Sequence, residues 1–86
     1  MNRKRLLRKL AQGALQNVSF KDAVQLLEGF GFQLTRVKGS HHIFVHPSIP
    51  ELVNLQDVDG EAKPYQIRQF LRLVERYHLQ LEPEDE

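Results

Sequence analysis

Two short runs rich in β-formers flank a tight turn, and together they limit what this chain can fold into. Phe32-Gln33-Leu34-Thr35-Arg36-Val37 partly alternates in polarity and reads as a strand. His41-His42-Ile43-Phe44-Val45-His46 reads as the return strand. Only Lys38-Gly39-Ser40 separates them, which leaves room for an antiparallel hairpin and nothing longer. A lone hairpin is marginal in water, so other elements must cover one of its faces. Pro47-Ser48-Ile49-Pro50 cannot sit in a central strand and makes a loop. Leu52-Val53-Asn54-Leu55-Gln56 then offers a third strand, and Asp57-Val58-Asp59-Gly60-Glu61 reads as a polar loop.

The covering elements are helical. Residues 3–12 space Leu6, Leu7 and Leu10 among basic residues, an amphipathic helix that breaks near Gly13 and Asn17. Ser19 followed by Asp22 has the form of a capping box. Phe20, Ala23, Val24, Leu27 and Phe30 recur at helical spacing behind it, so a second helix covers about residues 20–29. Gly29 and Gly31 suit its C-cap and the turn that follows. Pro64 stands where the first turn of a helix tolerates proline. Ile67, Phe70, Leu71 and Val74 then form an apolar stripe, giving a helix over about residues 64–77.

The order α-α-β-β-β-α predicts an α+β domain of two layers, with helices on one face of an antiparallel sheet. Its expected core is Val24, Leu27, Leu34, Ile43, Val53, Ile67, Phe70 and Leu71. With 86 residues there is room for one such core. The absence of cysteine excludes disulfides, thiolate catalysis and cysteine zinc sites, and is compatible with a cytoplasmic location. No stretch approaches the ~20 apolar residues of a membrane span, and no apolar run follows the basic start as a secretory signal requires.

The formal charge of +1 conceals an asymmetry. Residues 1–46 carry eight Lys and Arg against two acids, +6, and residues 47–86 carry four against nine, −5. Arg3, Lys4, Arg5, Arg8 and Lys9 have no acid near them in sequence and are candidates for phosphate contact, or equally for gripping an acidic protein surface. Arg68, Arg72 and Arg76 share a helix face and are either phosphate contacts or a solvated face. Glu82-Pro83-Glu84-Asp85-Glu86 reads as an acidic tail. The chain thus divides into a basic helical extension over residues 1–18, a domain over residues 19–81 and the tail over residues 82–86.

Three of the four histidines fall within six residues. A metal site is the first chemistry to test, and spacing opposes it. His42 and His46 share a strand face but stand ~13 Å apart, too far to share an ion held at ~2.0–2.1 Å. His41 and His42 point to opposite faces. Acid–base chemistry fits better, because imidazole takes up and releases protons near neutral pH. A histidine just after the Gly39-Ser40 turn sits at the mouth of the hairpin, with Lys38 and Arg36 to hold phosphate and Ser40 to donate a hydrogen bond. Such a group can deprotonate a ribose 2′-OH, which attacks the adjacent phosphate, and this needs no metal and no cofactor. The same histidines also read as strand residues with no chemical role.

The run Lys38-Gly39-Ser40-His41-His42-Ile43-Phe44-Val45-His46-Pro47 resembles the signature of the HicA, or YcfA-like, family of small toxins from toxin–antitoxin pairs. The preceding Val24-Gln25-Leu26-Leu27-Glu28-Gly29-Phe30-Gly31-Phe32 resembles that family's first helix and its Gly-aromatic turn. Lys63-Pro64-Tyr65-Gln66-Ile67-Arg68-Gln69-Phe70-Leu71 resembles the opening of its last helix. The resemblance covers residues 19–78. It implies an α-β-β-β-α fold like a double-stranded-RNA-binding domain and the activity of an mRNA interferase, a metal-independent endoribonuclease that arrests translation. It places the catalytic histidine at His41, with His42 the less favoured alternative, and implies RNA and a HicB-like antitoxin as partners. Lys38, Gly39, Ser40, Arg36, Lys63 and Arg68 join the basic N-terminal residues as expected RNA contacts. The chain departs from the family in its basic start, in its acidic tail and at Val53-Asn54-Leu55-Gln56, where a Val-Pro and a nearby His are common. A non-catalytic RNA-binding module on the same fold is the alternative reading.

Overall fold

The computed structural model describes residues 2–82. Residues 83–86, most of the expected acidic tail, lie outside the described residues. Seven elements follow in order: α1 (Arg3–Ala11), α2 (Phe20–Gly29), β1 (Gln33–Lys38), β2 (His41–Val45), β3 (Val53–Val58), β4 (Glu61–Ala62) and α3 (Pro64–Tyr77). The strands form one antiparallel sheet in the order β1-β2-β3-β4. Helices α2 and α3 pack on β3, α2 also on β4, and α1 lies against α2. The result is the two-layer α+β architecture of a double-stranded-RNA-binding-like domain, with α1 added to its helical layer.

The helix signals act as their chemistry requires. The Asn2 side chain accepts from the Arg5 N–H at 3.0 Å and starts α1. Ser19 Oγ accepts from the Asp22 N–H at 3.0 Å and starts α2. Gly31 takes φ +92° just past the end of α2, where a side chain would be strained. Pro64 occupies the first turn of α3, and His78 ends that helix in the left-handed conformation.

The polar-loop expectation for residues 57–61 is corrected. Asp57 and Val58 extend β3, and Glu61 and Ala62 return as β4 across an Asp59-Gly60 turn. Asp59 and Gly60 both have positive φ, and the Asp57 carboxylate accepts from the Gly60 N–H at 2.8 Å. Turn chemistry that looks like a loop in sequence thus closes a short hairpin.

The core also differs from expectation. Leu27, Val53, Ile67 and Phe70 are buried, whereas Val24, Ile43 and Leu71 are only half-buried and Leu34 is 47% exposed. The reason lies in how the layers overlap. The helices cover β3 and β4, and β1 stands at the sheet edge beyond them, so Leu34 and Val37 on it stay open. Phe32, Phe44 and Leu55 fill the space instead, and Phe70 meets Phe30 and Phe32 edge to face at 5.6 and 5.7 Å. Leu10, Leu15 and Val18 belong to the same core, so the basic extension is folded onto the domain.

Two polar contacts lock α3. Gln66 is 2% exposed; its Oε1 accepts from the Gln56 N–H at 2.7 Å and its Nε2 donates to Gln56 Oε1 at 3.1 Å. At the other end, Tyr77 Oη donates to the Glu51 carboxylate at 2.6 Å and Arg76 pairs with it at 3.0 Å. The Tyr77 hydrogen bond, with help from the Arg76 guanidinium, holds the Glu51 carboxyl below the usual carboxylate range.

Substituting Phe44→Ala removes a ring with no exposed surface and is expected to cost about 3–5 kcal/mol. Leu34→Ala, at the open edge, should change stability by about 0.5 kcal/mol or less. Urea denaturation of both variants checks the contrast. Tyr77→Phe should lower the urea midpoint at neutral pH. A lowered folded-state pKa stabilises above the ordinary glutamate range and is lost as pH falls through it, so the deficit should close in acid. A deficit that persists in strong acid would assign it to packing.

Candidate active site

The parity of β2 decides which histidine faces what. Phe44 is buried against the helices, and alternation puts His42 on that same face and His41 and Ile43 on the other. His42 accordingly packs on Phe20, with ring centroids 4.6 Å apart and planes inclined at 55°. His46 packs against Phe32 at 5.1 Å. His41 stands on the open face.

The hydrogen bonds separate the three further. His42 Nδ1 lies 3.0 Å from the Ser40 carbonyl, which can only accept, so Nδ1 carries the proton. His46 Nδ1 accepts from the Ser48 N–H at 3.0 Å, so its proton sits on Nε2. His41 Nδ1 instead faces an amide that offers both functions, with Asn54 Nδ2 at 2.9 Å and Oδ1 at 3.2 Å. The Asn54 amide can donate to a bare Nδ1 or, turned over, accept from a protonated one. His42 and His46 each have a partner that fixes one role for Nδ1, while the Asn54 amide can serve either role at His41.

A backbone irregularity brings the cations to this face. Simple alternation from Leu34, which pairs with Phe44 on the helix side, would turn Arg36 and Lys38 the same way. The register shifts between Leu34 and Arg36, so that Arg36 pairs with Ile43 and Lys38 with His41. Thr35 is the extra residue of this bulge, and its hydroxyl donates to the Ile43 carbonyl at 3.2 Å. Arg36, Lys38, His41, Ile43 and Asn54 now line one open pocket of about 290 Å³. Two cations, an imidazole and an amide surround an aliphatic floor.

Of the residues expected at the site, the structure gathers Arg36, Lys38 and His41. Gly39, at φ +59°, and Ser40 form the turn beneath them, with the Ser40 carbonyl tied to the Asp57 N–H at 3.0 Å. Lys63 begins α3, its Nζ 5.9 Å above the Tyr65 ring. It stands next to this end of the sheet because Gln66 is bonded to Gln56, the register partner of His41. Arg3, Lys4, Arg5, Arg8 and Lys9 lie on α1 in the helical layer, and Arg68 lines a groove between α1 and α3. None of these six lines the His41 pocket. Asn54 and Ile43 are the members that sequence reasoning did not place there. Their signal was the departure at residues 53–56 and the odd positions of β2, both readable only once the register is known. Among the described residues no group of histidines and carboxylates could hold a metal ion.

Fold and pocket together define a small double-stranded-RNA-binding-like α+β protein with one solvent-facing imidazole set among cations. Comparison with family models gives a match over residues 20–75 to the HicA toxin of bacterial toxin–antitoxin systems. The match spans well over half the chain, and the chain belongs to the HicA toxin family. It is thereby a toxin of a toxin–antitoxin system, whose partner is an antitoxin. No match came from curated proteins or from solved structures.

The contrast between neighbouring histidines is measurable. His42→Ala loses the Phe20 contact and the Ser40 hydrogen bond, and should cost about 1–2 kcal/mol. His41→Ala touches only an exposed pair and should cost about 0.5 kcal/mol or less. Thermal or urea unfolding of the two variants, at one pH, tests the assignment.

Proposed function

We propose that this toxin is a metal-independent endoribonuclease acting on mRNA in the cytoplasm, with His41 as its general base. The observation that carries the reading is the pocket in which Arg36, Lys38 and His41 converge around a single open space. His41 Nε2 takes the proton of a ribose 2′-OH while Nδ1–H donates to Asn54 Oδ1. The 2′-oxygen forms a bond to the adjacent phosphorus, and the bond from phosphorus to the 5′-oxygen breaks. The proton held on Nε2 passes to the departing 5′-oxygen, which restores neutral imidazole. The products are a 2′,3′-cyclic phosphate and a 5′-hydroxyl end. Arg36 and Lys38 offset the charge that builds on the phosphoryl oxygens, the kind of stabilisation that dominates such reactions.

The Gly39-Ser40 turn joins Lys38 to His41 at this pocket, and Lys63 at the start of α3 would extend the surface along which an RNA strand lies. The Ile43 side chain supplies an apolar floor, half-buried and free of competing hydrogen-bonding groups.

Induced expression without antitoxin tests the reading. Wild type should arrest growth and deplete mRNA, and His41→Ala should do neither. With purified protein in chelator, His41→Ala should slow cleavage by about 10²-fold or more. RNA carrying a 2′-deoxy sugar at the cleaved position should resist. Arg36→Ala and Lys38→Ala should each weaken RNA binding and flatten its salt dependence by about one phosphate contact. Cleavage by His41→Ala at the wild-type rate overturns the mechanism. RNA bound by wild type but never cut would instead leave the fold as a non-catalytic RNA-binding module.

A further inference from the structure

The basic extension has an apolar side that the catalytic reading does not use. Leu7, Leu10 and Ala11 of α1 face Leu71 and Val74 of α3 across an open groove of about 440 Å³. Leu7, Leu71 and Val74 remain only half-buried there. Arg68 and Arg72 form the α3 wall, with Glu75 beside them. On α1, Lys4 and Arg8 stand three residues before Leu7 and Ala11, so helical spacing sets them along the opposite rim. Four exposed cations thus border an aliphatic floor against one carboxylate. The groove runs through the helical layer, on the other side of the sheet from His41.

The chemistry of this surface selects its occupant. Single-stranded RNA is held by aromatic platforms and by groups that meet base edges. The floor of this groove has neither, only Leu, Ala and Val side chains. It suits apolar side chains projecting from a helix, the mode in which an amphipathic helix lays one face into a hydrophobic groove. From Arg68 to Glu75 the α3 wall is about 10 Å long, which matches about two turns of such a helix. The cationic rim requires that the flanks of the helix be acidic.

We propose that the α1–α3 groove is a docking site for an acidic amphipathic helix of a partner protein. The site is separate from the RNA pocket, so a bound partner holds the toxin whether or not the catalytic face is occupied. The inference does not depend on His41 being catalytic.

The test uses the full chain, labelled with ¹⁵N, and a synthetic helical peptide of about four turns carrying Leu on one face and Glu on both flanks. Amide shifts should move along residues 4–11 and 68–75 and not at residues 36–43. Arg68→Glu with Arg72→Glu, both exposed and outside the core, should weaken binding about tenfold or more. His41→Ala should leave it unchanged. A peptide with Lys flanks, and one with the same composition but a scrambled apolar pattern, should each bind about tenfold more weakly. Leu71→Glu should abolish binding while the wild-type spectrum elsewhere reports an intact fold. Binding that maps to the sheet face, equal binding of the scrambled peptide, or an RNA oligonucleotide that shifts the groove residues in preference to the peptide would each overturn the proposal.

Discussion

Burial of Phe44 fixes the parity of β2, and the rest of the site depends on that. The ring has no exposed surface, and its position in the strand determines which face each neighbour must take. His42 is drawn inward beside Phe20, and His41 is left outward beside Asn54. A slip of one residue would exchange them and expose the core face to water, which is why register is so strongly specified where one side of a sheet is buried. The aromatic residue three positions after His41 is thus the anchor that turns the imidazole out to solvent.

The edge strand obeys a second constraint. β1 lies beyond the helices, so burial alone does not dictate its side-chain directions. The Thr35 bulge does so instead. Before it, Leu34 pairs with Phe44; after it, Arg36 and Lys38 pair with Ile43 and His41. One extra residue therefore carries two cations from the helix side of the sheet to the imidazole side. Leu34 and Val37 stay exposed because no helix covers this edge, not because of the bulge.

The helical layer shows a similar division of labour. Gln66 is a buried polar residue of the core, and its side chain is satisfied by Gln56 and the Tyr65 hydroxyl. It ties the start of α3 to the β3 residue opposite His41, so the sheet and α3 meet at the His41 end. The extension contributes Leu10, Leu15 and Val18 to the common core while its cations stay on the surface of the helical layer. Residues that look like one basic tract in sequence therefore serve a different surface from Arg36 and Lys38.

The sequence by itself determined the elements and their order, because caps, prolines and apolar spacing act locally. Ser19, Pro64, the Gly39-Ser40 turn and the stripe from Ile67 to Val74 each do in the fold what their chemistry predicts. It also placed His41 on the return strand of the hairpin, next to the Gly39-Ser40 turn. What it could not determine were the β4 hairpin, the exposure of Leu34, the inclusion of Ile43 and Asn54, and the separation of the α1 cations from the pocket. These depend on which strand lies at the edge, where the register shifts and how far the helices reach across the sheet. Such relations join residues distant in the chain, and only tertiary packing decides them.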